Sequence, residues 1–283
     1  MTKREMFRDL DKVWKDLQDK NRVWRFYNPL DGKGKHISIL NRGGSKNGQA
    51  ACEEIDYVAE WLIEGEHFKD LRESLEAHPV GEIGRDDYKV HHAEAVVSFE
   101  SNRYEEQIAD AIYNASRFGY ADRVSKLNIG KVIDYQVPLS VKGQNNAGLG
   151  DIDLLAKYKN ELMLIELKRP TSDESLLKCV LEAYSYAKLI NRDKFCDSYF
   201  KDTGIRRPLI SICPMFFNGV YRTDKNGREY KCRIGMEYDR YRDGKYPALK
   251  SLVEEIEKDL KSDVKFRSIP VAGFGIEPIL IVK

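Results

Sequence analysis

The stretch GDIDLLAKYKNELMLIELKRP, residues 150 to 170, constrains the fold of this chain more than any other. Apolar runs stand on both sides of Lys159-Asn160, a pair with turn character, so the segment predicts a two-stranded hairpin. Symmetric pairing about that turn sets Asp153 opposite Glu166 and Asp151 opposite Lys168. Side chains alternate along a strand, so Asp151 and Asp153 share a face with Glu166 and Lys168. Three carboxylates and one ammonium group are thereby expected on one patch.

Like charges crowded into a partly buried site raise each other's pKa unless something neutralises them. A divalent cation is the simplest neutraliser. One or two carboxylates, with water and phosphate oxygens completing the shell, suit magnesium (or manganese) better than zinc. The lysine can then hold or help deprotonate a water and offset charge developing on a phosphorus-bound oxygen. An acid-x-Lys triplet alone decides nothing in a chain that is 33% charged, and Glu229-Tyr230-Lys231 and Asp259-Leu260-Lys261 read as solvated pairs. Glu166-Leu167-Lys168 differs because it closes the apolar run LMLI, where unpaired charge is expensive. A purely structural ion-pair cluster is the competing reading.

Hydrophobic periodicity orders the elements around this hairpin. Residues 103 to 116 read as a helix, 131 to 141 as a strand, 174 to 191 as a helix and 207 to 217 as an apolar strand. The order is α-β-β-β-α-β, followed by a helix over 247 to 261 and a last strand at PILIVK. Upstream, Phe7, Leu10, Val13, Trp14 and Leu17 recur at helical spacing, as do Ile55, Val58, Trp61 and Leu62 within 51 to 78. A boundary near residue 95 divides a mainly helical region, 1–95, from an α/β domain, 96–283. The first region is a separate helical subdomain or an extension of the second.

With 42% hydrophobic residues the chain can bury a large core. Its 47 basic and 46 acidic residues balance to +1, so a nucleic-acid site has to be a local patch. Five scattered cysteines, none in C-x-x-C spacing, argue against disulfide frameworks and zinc knuckles. No apolar run reaches membrane-spanning length, and MTKREMFRDLDK lacks the hydrophobic stretch of a signal peptide; a cytoplasmic protein without a membrane partner is expected.

The hairpin and the element order resemble the core of PD-(D/E)XK nucleases, over roughly residues 100 to 217. The resemblance implies a restriction-endonuclease-like core with a mixed central sheet and an endonuclease acting on phosphodiesters, most simply DNA. Asp153 and Glu166 then bind the metal, the Leu167 carbonyl joins them, and Lys168 assists the attacking water. Ile152 stands where many members have proline, and Asp151 has no fixed counterpart: it is a second metal contact or a partner orienting Lys168. A Glu on the preceding helix also ligates in such proteins. Glu105 matches it, though Asn102 and Glu105 equally form a helix capping box. On the following helix, Lys178, Glu182 and Tyr186 fall on one face and can touch phosphate, or form an ordinary exposed face. Arg206 and Arg207 are further phosphate candidates.

From Tyr221 to Lys245, arginines and lysines alternate with tyrosines as a nucleic-acid contact needs, or as an exposed hairpin with salt-bridged faces presents. The competing functions are a silent binding subunit of the same fold, or a nuclease directed at RNA. A homodimer or protein partner engaging the N-terminal region fits either.

Overall fold

The computed structural model describes residues 2–28, 40, 54–78, 87–89, 103–117, 124–139 and 149–271. Helix α1 (Lys3–Asp19) starts at a capping box in which Thr2 and Glu5 exchange side-chain and backbone hydrogen bonds, and it buries Met6, Leu10, Trp14 and Leu17. A 3-10 turn at Val23–Arg25 follows. The periodicity over 51 to 78 resolves into two helices, α2 (Glu54–Glu64) and α3 (His67–Glu76). They break at Gly65-Glu66, where Glu66 takes a left-handed φ of 57°.

Then come α4 (Tyr104–Arg117), β1 (Lys131–Pro138), β2 (Asp151–Tyr158), β3 (Glu161–Lys168) and α5 (Leu176–Leu189). Two short helices, α6 (Arg192–Ser198) and α7 (Phe200–Thr203), precede β4 (Leu209–Asn218). The expected α-β-β-β-α-β order is present, with those two helices inserted in its last connection. The stretch from 221 to 245 is a hairpin only in its first half, β5 (Val220–Thr223) with β6 (Glu229–Lys231). Its second half is helix α8 (Arg233–Arg242). Ile234, Tyr238 and Tyr241 recur there at helical spacing; Ile234 is buried, while Tyr238 meets Phe216 and Phe266 and Tyr241 meets Phe266. Helix α9 (Pro247–Leu260) and β7 (Arg267–Pro270) complete the described fold; the strand expected at PILIVK and the boundary near residue 95 lie outside the described residues.

The fold is α/β. One mixed sheet runs in the order β1-β2-β3-β4-β7, antiparallel from β1 to β3 and parallel from β3 to β7. Helix α4 covers one face over β1 to β3, and α5 covers the other over β3 and β4. That double coverage explains why β3 is buried from Leu162 to Lys168 and reads as a continuous apolar run. The N-terminal helices form no core of their own: α2 packs on α9, α3 packs on α5, and one buried cluster runs from Met6 and Trp14 to Leu181 and Ile256. Cys179, Cys196, Cys213 and Cys232 are free and buried. Among the described residues no helix is long and apolar enough to cross a membrane.

Candidate active site

The β2–β3 hairpin turns at Lys159, whose φ is 54°, and pairs Tyr158 with Glu161 through to Leu154 with Ile165. Continued by one residue, that register sets Asp153 opposite Glu166, as symmetry about the turn requires. Beyond Leu154 the Asp153 carboxylate replaces a backbone partner: the Leu167 N–H donates to its Oδ2 at 2.8 Å. The Leu167 side chain is buried on the opposite, α4-covered face. Gln136 of β1 donates its amide to Asp153 Oδ1 at 3.1 Å. Gln136 holds a φ of 43°, a left-handed value unusual in a strand and strained for a residue with a Cβ.

A cleft of about 440 Å³ opens here, and Asp151, Asp153, Glu166, Lys168 and Glu105 all line it. Lys178, Glu182 and Tyr186 of α5 line it too. They are no ordinary exposed face, being 8%, 7% and 5% exposed. Glu105 accepts the Arg169 N–H at 3.2 Å, which ties α4 to the end of β3; Asn102, its capping alternative, lies outside the described residues. Arg206 and Arg207 do not come to the site. They precede Leu209, which pairs with Glu161, whereas Lys168 pairs with Phe216 seven residues along the parallel ladder. The two arginines therefore sit at the opposite end of the sheet, roughly 20 Å away.

Lys168 is the electrostatic centre. Its ammonium lies 2.6 Å from Glu166, 2.8 Å from Glu174 and 2.9 Å from Glu182. Burial alone would depress its pKa; Glu166, Glu182 and Glu174 outweigh that and hold it well above the ordinary lysine value. A lysine so held is a hydrogen-bond donor and a fixed positive charge in the cleft. Burial likewise opposes the ionised form of Glu174, but Lys168 and Lys178 bring that carboxyl down to about 2. Lys178 also pairs directly with Glu174, and the Tyr186 hydroxyl donates to Glu182 at 3.2 Å.

Two acids show the opposite response. Burial pushes Asp153 up to about 7 despite Lys168 and the Leu167 N–H. Burial, then the charge of Glu182, raises Glu166 well above its ordinary value. The cleft is lined by six carboxylates and two ammonium groups, and the lysines do not balance it. A hard divalent cation would fit this donor set in chemistry and charge. Among the described residues no three acidic, imidazole or thiol groups form a ready metal cage, and Glu166 accepts a hydrogen bond from Lys168.

Sequence reasoning missed Glu174, Gln136 and Tyr27. Glu174 directly precedes the α5 N-cap Ser175, and an acid at a helix start is a readable signal. Tyr27 reaches the cleft wall from the N-terminal region, with Asn28 and Leu40; its ring meets Tyr186 edge-on and its hydroxyl donates to the Leu149 carbonyl at 3.1 Å. Gly150, at φ 80°, abuts the Tyr186 hydroxyl so closely that a methyl group would collide with it. Gly150→Ala is expected to cost about 1–3 kcal/mol, read as a lower urea midpoint at unchanged slope.

No protein-family model matches this chain, and comparison with curated proteins and with solved structures gives no match.

Proposed function

We propose that this chain is a magnesium-dependent nuclease of the PD-(D/E)XK type, hydrolysing phosphodiester bonds, in DNA before RNA. The observation that carries the reading is the meeting of Asp153, Glu166 and Lys168 in one cleft whose six carboxylates outnumber its two ammonium groups. Asp153 and Glu166 hold the ion, Leu167 sets the spacing between Glu166 and Lys168, and Glu105 and Asp151 stand at the rim. Bound there, magnesium or manganese supplies the charge that stabilises the transition-state phosphate. Lys168, kept protonated and fixed by Glu174 and Glu182, orients the attacking water and faces the charge that develops on phosphate oxygen. Lys178 and Tyr186 hold Glu182 in place.

The test is cleavage of plasmid, linear duplex, single-stranded DNA and RNA with magnesium, manganese or chelator. Strand scission with either metal and none with chelator is the expected result. The alternative, a silent binding subunit, draws on the closed Lys168 ion-pair cluster. Nucleic-acid binding without scission under every metal condition would replace the first reading with the second.

A further inference from the structure

The β5–β6 hairpin carries four cations, Arg222, Lys225, Arg228 and Lys231, against two acids, Asp224 and Glu229. Asp224 is committed to the turn, its carboxylate accepting the N–H groups of Asn226 and Arg228 at 2.9 Å each. Arg222, Lys225 and Lys231 form no ion pair with any described residue. Two of its arginines share one aromatic ring. Tyr230 lies directly across from Arg222, and the guanidinium groups of Arg222 and Arg228 sit 4.9 Å and 5.4 Å from its ring centre. Stacking on an aromatic ring fixes the plane of a guanidinium, whose N–H edge is the part that recognises an oxyanion such as phosphate.

Placement supplies the second argument. The hairpin leaves β4 through Gly219, three residues after Phe216, the partner of Lys168, so it rises from the same end of the sheet as the acidic cleft. At its other end Arg233 donates to the Asp173 carbonyl. Asp173 lines a second pocket with Arg103, Tyr104 and Arg169, which shares Glu105, Gln136, Asp153 and Glu174 with the cleft, and the Arg169 guanidinium lies 5.4 Å from the Tyr104 ring. A cation-rich arm is thus anchored beside a cleft that itself carries excess negative charge. A polyanion repelled by the cleft's acids needs such a grip outside them.

We infer that the β5–β6 hairpin is a phosphodiester-backbone grip, in which Tyr230 is the post that orients Arg222 and Arg228 toward the phosphates of a nucleic-acid strand running into the cleft. The inference rests on the nuclease reading for the class of ligand.

The experiment measures binding of a labelled DNA duplex, its single strand and an RNA of the same sequence, in chelator, across a salt series. The full chain is compared with Arg222→Ala/Arg228→Ala, Tyr230→Phe, Tyr230→Ala and Arg206→Ala/Arg207→Ala. The hairpin double variant is expected to lose about tenfold or more in affinity at low salt, and its slope of log affinity against log salt falls by about 2 for the duplex. Tyr230→Phe binds as the parent, whereas Tyr230→Ala loses part of the arginine contribution. Arg206→Ala/Arg207→Ala removes the same charge from the far end of the sheet and leaves the slope near the parent value. All these side chains lie at least partly open to solvent, so thermal melting is expected to match the parent.

An unchanged slope in the hairpin double variant, an equal loss in the Arg206/Arg207 variant, or no nucleic-acid binding at low salt each overturns the inference. Hairpin-dependent binding in a chain that never cleaves supports the grip while removing the nuclease reading. Cleavage with hairpin-independent binding does the reverse.

Discussion

Asp153→Asn is expected to stabilise the metal-free protein while abolishing the proposed cleavage. Aspartate ordinarily titrates near 3.8, and burial lifts Asp153 to about 7 against the pull of Lys168 and the Leu167 N–H. Between these values the folded chain keeps a proton that the unfolded chain has released. Stability therefore falls as pH rises from about 4 to about 7, and above that the ionised group sits in the fold at a cost. Asparagine removes the charge and keeps the shape. Its carbonyl can accept the Leu167 N–H, and the Gln136 amide can rotate to accept from the new NH₂ group. The expected gain is about 1–3 kcal/mol at about pH 8 in chelator, shrinking with falling pH and approaching zero only below about pH 4, by chemical denaturation. Cleavage with magnesium is expected to drop on the order of 10³-fold. The parent's magnesium-induced rise in melting temperature is expected to disappear in the variant. A variant less stable than the parent at about pH 8, or one still stabilised by magnesium, rules out Asp153 as an uncompensated metal-holding acid.

The parts of this site that were legible in the sequence are those fixed by local geometry. A two-residue turn at Lys159-Asn160 sets the register, and period-two alternation then commits Asp151, Asp153, Glu166 and Lys168 to one patch before any tertiary contact is known. Helix spacing likewise placed Lys178, Glu182 and Tyr186 on one face. Periodicity says which residues share a face but not what covers it, so an exposed stripe and a buried polar one looked alike. Non-local facts were out of reach. The parallel pairing of β3 with β4 decides that Arg206 and Arg207 lie at the wrong end, and nothing near those residues records it. Tyr27 meets Tyr186 across 159 positions of sequence, through helices that share the core of the α/β unit. Gln136 reaches Asp153 from a left-handed backbone that no propensity favours in a strand, the kind of local conflict that gathers at functional sites.

Lys168→Met is expected to act in the opposite direction to Asp153→Asn on stability, although both variants lose cleavage. Methionine fills a similar volume, so the main loss is the charge that three carboxylates within 2.9 Å surround. Removing one member of a buried, paired cluster costs about 3–5 kcal/mol, because the remaining charges stay enclosed without compensation. The pH dependence separates this from a packing defect. In the parent, burial works against the charged forms of Glu174 and Glu182, but Lys168 and then Lys178 hold Glu174 at about 2 and Glu182 below its ordinary value. Groups depressed in the fold add stability that is present above the ordinary value of 4.5 and is lost as pH falls toward the folded values. Without Lys168 that contribution shrinks, and the acids instead take up protons on folding. The gap between parent and variant should therefore be widest at about pH 8 and close progressively as pH falls through about 5 and below, in chelator, by denaturant unfolding. A variant too unstable to study at neutral pH should regain cooperative unfolding near about pH 5, where protonated carboxyls no longer repel one another. A gap of constant size at every pH would mean that Lys168 only fills space, and would remove the electrostatic basis for assigning it a part in catalysis.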